Sequence, residues 1–161
     1  MREAQLQLDG QLRELRLEHL RWRRERRQLA YLDLLTDLSS ADRANQQLFH
    51  ELAAASEPAP VDDGRLAEIR RLFKTAEHTT DKIVLEGPAD VAAAAQAVTA
   101  QLAVLVSGVR EFAEPHTEST SQLEGRRIVE DAGQNFIQAR NTFLETARIA
   151  LDEVLDGCQY T

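Results

Sequence analysis

Residues 91–109 read VAAAAQAVTAQLAVLVSGV, nineteen consecutive positions without a charge. That is about the length that crosses a bilayer, so the choice between a membrane span and a buried helix decides the fold. Composition favours burial. Seven alanines, two glutamines, a threonine, a serine and a glycine carry little transfer free energy, and neither Leu nor Ile appears before Leu102. The alanines have a packing role instead, because small side chains let neighbouring helices approach closely. Val91, Ala94, Ala95, Val98, Leu102, Leu105, Val109 and Phe112 return every three or four residues and mark the inward face of a helix over about 88–113.

Working outward, the segment is bounded by turn chemistry. The triplet EGP (86–88) is a tight junction in which Gly87 can take a left-handed cap position and Pro88 has the fixed φ suited to a first helical turn. Ahead of it a helix over about 63–85 carries Leu66, Ile69, Leu72, Phe73, Ala76, Thr80 and Ile83 on one face. The run SEPAPVDDG (56–64) reads as a linker. Behind it, from Arg2 to Ser56, there is no proline and a single glycine, Gly10, so one helix over about 2–56 can run for roughly 80 Å. Ser39 and Ser40 are where it could break. After the polar stretch EPHTEST (114–120), a last helix over about 119–155 carries Leu123, Ile128, Val129, Ala132, Phe136, Ala139, Phe143, Ala147, Ala150, Leu151 and Val154. The fold expected is all-α, an antiparallel four-helix bundle whose long first helix extends as a basic coiled-coil arm. Residues 1–30 form the arm, continuous with helix 1, and 31–157 form the bundle.

Bulk composition agrees. The chain has 161 residues, 43% hydrophobic and 29% charged, with only seven Gly and four Pro, which suits one globular domain of long helices without strands. The single Cys158 cannot form an intrachain disulfide, and the opening MREAQLQLDGQ lacks the apolar core of a signal peptide. The expected location is therefore cytoplasmic, with membrane association as its variant.

Charge is unevenly spread. Residues 1–30 hold eight Arg against five acids, and the remainder holds eleven basic residues against twenty-two acids, giving +3 and −11 in a total of −8. Five of those arginines lie in RWRRERR (21–27). On a helix Arg21 reaches Glu18 and Glu25, whereas Arg23, Arg24, Arg26 and Arg27 have no acid three or four positions away. They face an anion from elsewhere. The favoured source is a second, acidic copy of the chain, joined through the heptad seam Leu8, Leu12, Leu15, His19, Trp22, Arg26 and Leu29. An anionic membrane surface ranks next. Nucleic acid is the less favoured partner, because a body at −11 repels it. Beyond residue 30 the same helix changes character: Tyr31, Leu34, Leu35, Leu38, Ala41, Asn45, Leu48, Phe49 and Leu52 form a broader stripe, that of a bundle member.

Residues that could carry chemistry are scattered. The positions three before His19, His50, His78 and His116 are Arg16, Gln47, Thr75 and Ala113, so the Glu-x-x-His pairs of a di-iron bundle are missing, as is a zinc motif. Neither a metal nor any other cofactor is expected. No P-loop, Gly-x-Ser-x-Gly elbow or dinucleotide fingerprint occurs, and adjacent acids such as Glu130 and Asp131, or Asp152 and Glu153, suit solvated faces. The expectation is a non-catalytic interaction or scaffolding module, most simply a homodimer, that presents an Arg-rich strip (Arg23, Arg24, Arg26 and Arg27) to an anionic partner or membrane surface. The rival is a small ligand-binding bundle or enzyme, with a pocket between helices 2–4 near His78, Thr99, Gln101 and Asn135.

The stretches RRERRQLAYLDLLTDLSSADRA (23–44), KIVLEGPADVAAAAQAV (82–98) and FIQARNTFLETARIAL (136–151) together resemble a loose group of uncharacterised helical proteins common in high-GC Gram-positive bacteria. In that group a membrane anchor often precedes the Arg-rich helix. The resemblance implies a basic segment sitting beside a membrane and assigns no catalytic residues.

Overall fold

A computed structural model describes residues 2–55, 61–114 and 119–156, with side chains described over 7–55, 61–114 and 122–153. His116, Cys158, the Val154 side chain and loop residues 56–60 and 115–118 lie outside the described residues. Four helices follow one another: α1 (Arg2–Ala54), α2 (Asp63–Glu86), α3 (Ala89–Phe112) and α4 (Ser119–Asp156).

Helix α1 is unbroken through Ser39 and Ser40. The Thr36 hydroxyl donates to the Leu32 carbonyl and the Ser40 hydroxyl to the Thr36 carbonyl, each at 2.9 Å, so the polar side chains are satisfied by the helix itself. Asp62 starts α2 by accepting a hydrogen bond from the Gly64 amide at 3.0 Å, an N-cap that satisfies one orphan donor of the first turn. An ion pair between Glu51 and Arg65 joins the end of α1 to the start of α2.

The α2–α3 junction turns differently from the sequence expectation. Gly87 sits at φ −92°, ψ 169°, in extended backbone, and no described glycine has positive φ. Its lack of a side chain matters for space: a Cβ there would lie 2.7 Å from the Ile83 carbonyl oxygen, the group that accepts the Gly87 amide. Pro88, at φ −60°, ψ 150°, is the N-cap residue of α3 rather than part of its first turn.

The bundle is antiparallel in sequence order but not square. α3 packs against all three other helices, whereas α2 and α4 do not touch among the described residues. One diagonal, α1 to α3, is therefore short. This central position accounts for the inward face of α3, where Val91, Ala95, Val98 and Leu102 are fully buried, but of the seven alanines in the run only Ala95 is buried, and Ala93, Ala97 and Ala100 are exposed. α3 is also long and apolar enough to cross a membrane, the one such helix among the described residues.

Tyr31 meets Phe143 edge-on at 6.0 Å between α1 and α4, and Phe49 meets Phe112 at 5.3 Å between α1 and α3, which tie the two ends of the core. Two expected core residues are not in it. Leu123 is 72% exposed and Ile128 53% exposed. Ile128 is adjacent to the buried Val129, and consecutive helical side chains point about 100° apart, so only one can face α3. Val129 is level with Gly108, its Cγ2 lying 3.6 Å from where a Cβ there would sit. Leu123 is six residues earlier, roughly 9 Å further along, past the end of α3.

Candidate docking interface

The first part of α1 stands clear of the bundle. From Gln7 to His19 every side chain is exposed, and Leu20 is the first to be half-buried. This leaves a free arm of about 30 Å. Contacts with the bundle then begin before residue 31, the expected start of that domain. Arg24 Nε donates to the Leu151 carbonyl of α4 at 3.1 Å, and Arg26 makes a two-pronged ion pair with Glu86 of α2, at 3.0 and 2.7 Å.

These two contacts give the arginine segment an intramolecular purpose that local spacing could not reveal. α2 ends at Glu86 and α4 ends nearby, and neither has a basic residue in its last turn. The C-terminal end of a helix carries partial negative charge, and an acid such as Glu86 there is unfavourable unless answered. Arg26 answers Glu86 from α1 across 60 residues of sequence, while Arg24, across 127, reaches a carbonyl five residues before the end of α4. Seven residues make about two turns, so the five arginines form a collar around α1 rather than one strip. Arg27 is half-buried above Tyr31. Burial raises the Tyr31 hydroxyl above its usual pKa, with Arg27 lowering it and Asp90 of α3 raising it. Arg23 is exposed and has no hydrogen bond or ion pair among the described residues.

The apolar seam does lie on one side of the arm. Leu8, Leu12, Leu15, Trp22 and Leu29 are all 48–62% exposed. By helical phase, Leu15 stands about 100° from the core stripe at Leu34, so the seam is a second face and not a continuation of the core. Its two polar members order the aromatic one between them. His19 stacks on Trp22 at 5.9 Å, and the Arg26 guanidinium lies over the Trp22 ring, 5.3 Å from its centroid. The Arg26 charge is thus shared between Trp22 and Glu86, which fixes the seam relative to the bundle. Leu85, beside Glu86, is 85% exposed at the same end.

Sequence reasoning placed Leu35 and Leu151 on the core stripes and passed over Leu32 and Leu144, which join them in a groove beyond the seam. Past Leu29, exposed Leu32 and half-buried Leu35 of α1 face Leu144 and Leu151 of α4 across an open groove of about 510 Å³. The signal was present as a step of three at 29, 32 and 35, which a strict heptad passes over. The polar residues expected to meet in a pocket between helices 2–4 do not converge. His78 and Asn135 are exposed and Gln101 is half-buried, while the buried Thr99 hydroxyl lies 2.7 Å from that of Thr80. Among the described residues no three His, Cys, Asp or Glu side chains cluster in a way that could hold a metal ion.

No family model, curated protein or solved structure matches this chain.

Proposed function

We propose that this chain is a non-catalytic helical interaction module that self-associates through its arm. The carrying observation is the row of five large apolar side chains at heptad spacing, about half exposed, on a helix held clear of its own bundle. A soluble monomer gains nothing from ordering such a row in water, whereas a second helix laid along it removes the row from solvent. Trp22, in contact with both His19 and Arg26, has the character of an interface anchor.

The arginine collar takes a smaller part in partner binding than its sequence suggests. Arg24 and Arg26 are engaged by the ends of α4 and α2, which leaves Arg23 and the rim of the arm to meet an anionic protein or a membrane surface. The partner that best fits the arm is a second copy of the same chain: it presents an identical seam and supplies a body of −11 to flank the arginines. Light-scattering chromatography of the full chain beside Leu15→Glu tests this reading. A dimer that becomes a folded monomer is the expected result, and a wild-type monomer at every concentration overturns it.

A further inference from the structure

A second site lies on the half of the bundle away from the arm and goes beyond its role in self-association. Between α1, α2 and α3 is a cavity of about 250 Å³ with walls of Leu48, Leu66, Ile69, Phe73, Val106 and Val109. Two polar features distinguish it from a packing gap. The first is Asn45, 1% exposed, which lines the cavity. Its Nδ2 donates to the Leu105 carbonyl at 3.5 Å, the outer limit of a hydrogen bond, and its Oδ1 has no donor among the described residues. An orphan buried acceptor is rare in native proteins and costs stability unless something else satisfies it. The second is the mouth, lined by Arg70, Lys74 and Arg110. Lys74 is paired with Glu77 at 2.6 Å, while Arg70 and Arg110 have no ion-pair partner among the described residues. Three cations around one opening stand out in a chain of net charge −8.

Water alone is a poor occupant. The volume is several times that of one molecule, and most of the wall offers no hydrogen bond. The features ask for three things at once: an apolar body, a hydrogen-bond donor at the inner end for Asn45 Oδ1, and negative charge at the outer end for the arginines. We infer that this cavity binds a small amphipathic carboxylate of roughly ten to twelve non-hydrogen atoms, carrying a hydroxyl or N–H donor at the end opposite its carboxylate. Asn45 reads the donor and Arg70 and Arg110 hold the charge.

The test uses the isotopically labelled full chain and three probes of similar shape in NMR titrations. These are para-hydroxyphenylpropanoate, phenylpropanoate and para-hydroxyphenethylamine. The first meets every requirement, the second lacks the donor and the third reverses the charge. The first is expected to give saturable shifts of the Asn45 side-chain amide and of Ile69 and Val106, with a Kd of about 1 mM or tighter for so small a ligand. Loss of the hydroxyl weakens binding about tenfold, and the amine does not saturate. The double variant Arg70→Glu/Arg110→Glu, at two exposed positions, keeps the melting temperature and loses binding. The inference is overturned by any of three results: no saturable shift up to about 10 mM, equal affinity with and without the hydroxyl, or binding indifferent to the double variant. No seam residue lines this cavity, so its failure leaves the self-association reading untouched, and the reverse holds.

Discussion

Leu15→Glu places a charge at the middle of the arm's apolar row. Leu15 is 61% exposed, so its change should leave the bundle intact. Complete burial of a leucine is worth about 1.5–3 kcal/mol, and the exposed part that a partner can still cover is worth roughly 1–2 kcal/mol. In a two-fold symmetric dimer the position occurs twice. The loss is therefore about 2–4 kcal/mol before the cost of bringing carboxylates into the seam, or roughly 30- to 1,000-fold in Kd. The assay is sedimentation equilibrium over a concentration series for both proteins, with thermal unfolding at a fixed concentration alongside. A mutant whose dimer is as tight as wild type refutes the assignment of the seam. So does a loss of helix content in the mutant, since it would mean that Leu15 supports the fold rather than a contact between copies.

Other expectations concern the bundle. Gly87→Ala puts a methyl 2.7 Å from the Ile83 carbonyl, a backbone atom that also accepts the cap hydrogen bond, so neither can yield cheaply. A destabilisation of about 1–2 kcal/mol is expected after allowing for the entropy that the unfolded chain loses, and an unchanged urea midpoint would contradict it. The Thr80 hydroxyl donates to the Ala76 carbonyl at 2.9 Å, so the hydrogen between it and Thr99 comes from Thr99. Thr80→Val and Thr99→Val should each cost about 1 kcal/mol or more, while the double variant costs less than their sum; additivity in the denaturation cycle would show that the two hydroxyls are not bonded. Burial raises the Asp42 carboxyl above its usual range, against smaller lowering effects from Gln46 and Arg140. A raised folded pKa means that the folded state holds the proton more tightly, so this group's contribution falls as pH rises through the window between the usual and the raised value. Asp42→Asn is thus more stable than wild type at neutral pH, with an advantage that vanishes in acid, and a difference that instead grows on acidification would reverse the assignment.

How far each feature was legible follows from the range of the interaction behind it. The helices and most of their ends are local matters. Asp62 caps α2 with its own side chain and EGP breaks the chain between α2 and α3, so sequence spacing places both regions, whereas the continuity of α1 through Ser39 and Ser40 was left open by the sequence. The inward face of α3 was equally clear, because a helix with one face packed and the other open repeats its buried apolar residues with helical period. Even the arm's seam is a pattern within a single helix.

The tertiary structure decided whatever depends on where helices stop relative to one another. Leu123 continues the apolar period of α4, yet it lies beyond the end of α3 and has nothing to cover it. Asn45 falls on the core stripe of α1, where only the arrangement of α1, α2 and α3 leaves its carbonyl oxygen without a donor. The arginine collar is the clearest case. Counting three and four residues either way finds no acid for Arg26, because its partner is Glu86, brought to it by the length of α2 and the tightness of the turn that follows. Local periodicity determines which residues share a face. Helix lengths and loop closure determine which faces and which ends meet, and electrostatic partners are chosen at those meetings.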